Sequence, residues 1–135
     1  GADANKKNFG EVALTLAVSQ GHTQTVKVLL DNGANINVVA DDGKTAVVKA
    51  LVSNHPEIFQ LLIEKGADVN FQDSAGATAL MYAASEGYTQ AVQMLVNHGA
   101  DVNLKNQGGY TALMIAEFNS YRTMANILRQ AGAQE

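Results

Sequence analysis

The sequence predicts an all-α fold in which short helical hairpins stack in a solenoid. Three observations predict it. Residue types recur every 33 positions along the 135-residue chain. Glycine falls at fixed offsets inside each copy, and two short segments with helical apolar spacing lie between the glycines. A hairpin of two short helices cannot bury a core by itself, so each copy needs its neighbours.

The period can be followed position by position. A helix-capping position falls at Val12, Thr45, Thr78 and Thr111, each 33 residues after the last. An alanine follows five residues later, at Ala17, Ala50, Ala83 and Ala116. Gly21, Asn54, Gly87 and Ser120 occupy the reversal between the two helices, followed by His22, His55, Tyr88 and Tyr121. Gly33, Gly66, Gly99 and Gly132 close the second helix of each copy, and alanine follows every one.

Each element has a local cause. The first helices are expected at about 13–20, 46–53, 79–86 and 112–119. Threonine before three of them can accept a bond from a free backbone N–H, and Val12 cannot, which costs the first helix start about 1 kcal/mol. The reversal needs left-handed backbone, which Gly takes freely, Asn tolerates and Ser tolerates less. The turn at Ser120 is therefore expected to be looser than the others. Second helices are expected at about 23–32, 56–65, 89–98 and 122–131. Pro56 opens one of them, where its missing N–H costs nothing. Glycine then supplies the C-terminal stop, and Asp and Asn suit the turns at 37–44, 70–77 and 103–110. Met81, Met94, Met114 and Met124 fall at helical spacing and read as core.

Composition bounds the function. With 47% hydrophobic and 16% charged residues, the chain is ordinary globular material. A formal charge of −4 argues against a nucleic-acid partner. The absence of cysteine excludes disulfides and thiolate metal sites, and fits a reducing, cytoplasmic setting. No apolar run approaches the roughly 18 residues of a membrane span, and no signal-peptide pattern is present.

The repeat resembles the ankyrin repeat, whose pattern runs Gly-x-Thr-Pro-Leu-His-x-Ala, then Gly-His, then Leu-Leu-x-x-Gly-Ala-Asp-x-Asn. The matching residues are Gly43, Thr45, Ala46 and Val47; Gly76, Thr78, Ala79 and Leu80; and Gly109, Thr111, Ala112 and Leu113. Gly21 and His22 match the second part, and the run from Leu61 and Leu62 through Gly66, Ala67 and Asp68 to Asn70 matches the third. The alanine and methionine in these copies look similar to bacterial members. The resemblance implies helix-turn-helix pairs joined by β-hairpin-like turns, with an L-shaped section and a concave face. It frames one domain over 1–135: a remnant of a preceding turn at 1–6, then repeats at about 7–39, 40–72, 73–105 and 106–135. Arg129 and Ala125 replace apolar residues of earlier copies, as a C-terminal cap requires. The start at Gly1 leaves open a processed product, an excised piece of a longer array or a short non-repeat beginning. Alanine replaces the family proline at Ala13, Ala46, Ala79 and Ala112. Thr15, Val48, Met81 and Met114 replace the family histidine, so an apolar filler is expected in place of its hydrogen-bond network.

No catalytic constellation is legible. The serines lie outside any nucleophile-elbow pattern, and no phosphate-binding loop occurs. His22 and His55 sit at equivalent positions of neighbouring copies, about 8–10 Å apart for packed helices, too far to share a zinc. Asp41 and Asp42 pair on a tip without further ligands. No cofactor or metal is expected.

The resemblance implies a non-catalytic protein–protein interaction module, a monomer when free, that binds through its turn tips and the exposed face of its first helices. The matching tip positions include Phe9, Glu11, Asp41, Asp42, Lys44 and Tyr110. The matching first-helix positions include Val52, Ser85, Glu86, Phe118 and Asn119. Phe118 has two readings, a partner contact or packing across the end of the array. Asn37, Asn70 and Asn103 match asparagines that are hydroxylated in some members, and their plain role is to bond turn backbone. Two other functions remain: an engineered or reconstructed array without a native partner, which the divergence at Val12, Val47, Asn54 and Ser120 opposes, and an enzyme, which the missing nucleophile–base pair opposes.

Overall fold

The computed structural model describes residues 7–134, with side chains from Glu11 onward. Among these residues the chain forms eight helices and no strand. They are α1 (Lys7–Gln20), α2 (Thr23–Asp31), α3 (Ala46–Val52), α4 (Pro56–Glu64), α5 (Ala79–Glu86), α6 (Thr89–Asn97), α7 (Ala112–Phe118) and α8 (Arg122–Gln130). The chain divides into two compact units, Gly1–Ala67 and Asp68–Glu135, each carrying two helical hairpins.

In the first unit, α1 packs on α2 and α3, and α4 packs on α3 and α2. Leu14, Val18, Val26, Val47, Ile58 and Leu62 are fully buried there. In the second unit, α5 packs on α6 and α7, and α8 packs on α7 and α6. Its core is Leu80, Val92, Leu95, Leu113, Met124 and Leu128. Val48 and Met81 are buried at the filler positions, and Met114 and Met94 are half-buried.

The caps divide in a way the sequence did not predict. Thr78 accepts from the Met81 N–H and Thr111 from the Met114 N–H, each at 3.2 Å. Thr45 holds the N-cap position of α3 without such a bond, and its backbone pairs with Val39 instead. Val12 is no cap at all. The expected helix start at about 13 is overturned, because α1 begins at Lys7 and runs straight through Val12. Valine offers no hydroxyl to compete with helical bonding at that point. The Thr15 hydroxyl folds back onto the carbonyls of Val12 and Glu11, at 3.1 and 3.3 Å, a contact that continuous helix makes possible.

The four reversals are alike. Asn54 and Ser120 take positive φ, 59° and 60°, beside Gly21 and Gly87 at 78° and 76°. The bond that closes the turn is also the same, with Tyr121 N–H to Ala116 C=O at 2.9 Å and Tyr88 N–H to Ala83 C=O at 3.0 Å. The looser turn expected at Ser120 is therefore absent: the serine is held in left-handed backbone by the same bonds. A methyl group on Gly21 would lie 2.8 Å from the His55 ring, and one on Gly87 would lie 3.1 Å from the Tyr121 ring. The aromatic residue of one copy thus covers the glycine of the copy before it within each unit.

The connecting turns are hairpin-like without forming strands. Ala40 N–H bonds Lys44 C=O at 2.9 Å, Asp73 bonds Ala77 at 3.0 Å and Asn106 bonds Tyr110 at 2.9 Å in the same way. Asparagines tie successive copies together in the second unit. Asn70 accepts from the Asp101 N–H at 2.7 Å and donates to Gly99 C=O at 3.3 Å. Asn103 accepts from Gln134 N–H at 3.0 Å and donates to Gly132 C=O at 3.2 Å. Their backbone-bonding role is as the sequence indicates.

Candidate functional site

A concavity of the first unit lies between α1 and the turn at 38–42. It encloses about 410 Å³. α1 makes one wall, and the helix expected at 13–20 missed the part of it that Glu11 and Val12 add. Val12 and Leu16 stand one helical turn apart on that wall, 59% and 53% exposed. Val39, also exposed, faces them from the turn.

Carboxylates surround this apolar floor. Glu11 lies on α1, not on a turn tip as the repeat pattern implies, and it lines the groove with Asp41 and Asp42. Asp42 is held in place twice: it accepts from the Lys44 N–H at 3.0 Å and from Lys49 Nζ at 2.7 Å. The Lys49 ammonium beside it, with the Lys44 N–H, holds its carboxyl below the usual value, against the opposing effect of partial burial. Glu11 and Asp41 have no cationic partner among the described residues.

The turn owes its need for Asp42 to its own sequence. In the second unit, Asp73 and Asn106 brace the corresponding turns with their side chains. Asp73 accepts from the Ala75 and Ala77 N–H groups at 2.9 Å, and Asn106 from Gly108 and Tyr110 at 2.9 and 3.0 Å. The equivalent residue in the first unit is Ala40, which cannot accept, and Asp42 does the bonding from two residues further on.

The other candidate positions are distributed as follows. Lys44 is half-buried and does not line the groove, and Val52 is the exposed last residue of α3. Ser85 and Glu86 are exposed at the end of α5. Asn119 caps the end of α7, donating to Ile115 C=O at 2.9 Å. Tyr110 is 56% exposed on its turn, its ring lying over Gly108. Phe118 is 89% exposed, so the reading in which it packs across the end of the array does not hold. The Phe9 side chain lies outside the described residues. The sequence reading omitted Val12 as a surface residue, together with Leu16, Val39 and Lys49. The spacing of Val12 and Leu16 was the available signal, once α1 is allowed to extend.

Scaffold bonds occupy further polar residues of the turns and helix ends. Gln107 donates through Nε2 to Ser74 C=O at 2.6 Å and through its backbone N–H to Ala75 C=O at 2.9 Å, which joins two turns. His55 Nε2 lies 3.1 Å from Ser19 C=O, and His98 Nδ1 lies 2.9 Å from Met94 C=O. Among the described residues no group of three His, Asp or Glu side chains is placed to hold a metal, and no helix is long and apolar enough to cross a membrane.

A family model described as Ankyrin repeats (3 copies) matches residues 1–73 and again residues 67–135. Repeats of this kind generally mediate protein–protein interaction and are typically non-enzymatic. No curated protein matches the chain. Helical hairpins at a 33-residue period, the asparagine ties between copies and the two family matches lead to one conclusion: the chain belongs to the ankyrin-repeat family.

Proposed function

We propose that this chain is a non-catalytic, cytoplasmic module that binds a protein partner through its turn tips and the solvent face of its first helices. The observation that carries the reading is the set of large apolar side chains left in water on those elements. Val12 and Leu16 on α1, Val52 on α3, Tyr110 on its turn and Phe118 on α7 are all exposed, while the cores of both units are filled. The aromatic members, Tyr110 and Phe118, suit an interface most, since aromatic rings bury much area with few rotors. The hydrogen bonds of the turns hold the backbone fixed, so little ordering remains to be done on docking.

Capture from a native lysate tests it, with the wild-type chain beside a Leu16→Ser/Val39→Ser variant and a Tyr110→Ala/Phe118→Ala variant. At least one protein is expected to be retained by the wild type and lost by one variant, with thermal melts unchanged. If every retained protein binds both variants as well as the wild type, the surface reading is wrong.

A further inference from the structure

We infer that the groove between α1 and the turn at 38–42 docks a short extended segment of a protein partner in which basic and aliphatic residues alternate. The inference rests on the protein-binding reading and assigns it a site and a ligand chemistry.

The groove has an aliphatic floor and an acidic rim. Val12, Leu16 and Val39 offer exposed aliphatic surface, and Glu11, Asp41 and Asp42 stand around it. Among the described residues, the cation lining the groove is Lys49, already engaged with Asp42 at 2.7 Å. The three carboxylates thus outnumber the ammonium, and an anionic ligand would meet repulsion. The volume of about 410 Å³ lies in the range of side-chain and small-ligand sites.

The spacing accommodates an extended segment. Val12 and Leu16 are related by i, i+4 on a helix, which places their β-carbons about 5–6 Å apart. Alternate side chains of an extended chain are about 6.8 Å apart and point the same way. Two aliphatic side chains of such a segment can therefore straddle the Val12–Leu16 step. The intervening residues point away, and only a long, flexible cationic side chain can bend back to the rim, as lysine and arginine do. Serine or glutamate at those positions would leave Glu11 and Asp41 unpaired.

Fluorescence anisotropy tests this with the full chain and three labelled peptides: one of alternating lysine and leucine, one with glutamate for lysine and one with serine for leucine. The lysine–leucine peptide is expected to bind, and each replacement peptide to bind at least about tenfold more weakly. Leu16→Ser and Asp41→Lys, both surface changes, are each expected to weaken the lysine–leucine peptide about tenfold, with the charge-matched Glu64→Lys, at an exposed position of the second helix α4, close to wild type. Equal weakening by Asp41→Lys and Glu64→Lys would show non-specific attraction and overturn the inference, as would equal binding of all three peptides or of none. In those cases a partner captured through Tyr110 and Phe118 would leave the protein-binding reading standing, so the two can fail separately.

Discussion

Leu113 and Phe118 lie on the same short helix and have opposite fates. Leu113 is fully buried and Phe118 is 89% exposed. Truncating Leu113 to alanine removes packed core atoms and leaves a cavity, at a cost of about 2–5 kcal/mol. Phe118→Ala removes a larger side chain, yet it is expected to change stability by no more than about 0.5 kcal/mol, because almost nothing packs on it. Urea denaturation of the two variants checks the contrast. Ser120 is the second informative residue. Its φ of 60° puts a side chain in left-handed backbone, where L-residues are strained by about 1–2 kcal/mol. Glycine relieves the strain but adds freedom to the unfolded chain, so Ser120→Gly is expected to stabilise by less, about 0.5–1 kcal/mol. Unfolding midpoints would reverse this account if they fell on substitution.

Among the elements, the first turn is the one that departs from its counterparts. Asp73 and Asn106 brace their turns from the leading position, and Ala40 leaves that work to Asp42. Asp42 in turn depends on Lys49, whose ammonium bonds it and lowers its pKa. A carboxylate with a depressed folded-state pKa contributes stability above its ordinary unfolded value, and that contribution is lost as pH falls through the folded value. The Asp42 side chain is 45% exposed, so solvent screens the pair and a few tenths of a kcal/mol is the expected scale. Asp42→Asn should therefore melt about 1–2 °C below wild type near neutral pH. In strong acid, below the usual carboxylate range, the two melting temperatures should converge. A difference that stays constant with pH would mean that the ion pair contributes nothing.

At the scale of the whole molecule, burial is unevenly shared between helices of similar length. In the first unit, α2 has Val26 as its one buried residue, whereas α4 buries Ile58, Phe59, Leu62 and Ile63. Local opening follows the apolar contacts that must be broken. Amide hydrogen exchange is expected to be faster in α2 than in α4, although both helices have nine residues. Equal protection would mean that the hairpins of the unit open together. Function follows the same division of labour. The conserved spacing within the chain is spent on caps, reversals and asparagine ties, and the positions that vary between copies carry the exposed apolar and acidic groups.

The sequence by itself determined the 33-residue period, seven of the eight helices to within two residues, and the left-handed reversals at Gly21, Asn54 and Gly87, while the one at Ser120 is tighter than its serine implied. These depend on capping, backbone sterics and short-range hydrogen bonds, which a few neighbouring residues specify. It also marked Glu11, Asp41, Asp42, Tyr110 and Phe118 as surface positions, one by one. Tertiary structure decided what those positions become. Continuous helical bonding carried α1 through Val12 and turned a supposed cap into a groove wall. Packing within each unit buried Met81 and Met124 and left Met94 and Met114 half-buried, though all four read as core by their spacing. Exposure and convergence depend on which distant residues come within a few ångströms, and linear spacing carries that information only where the repeat is unbroken.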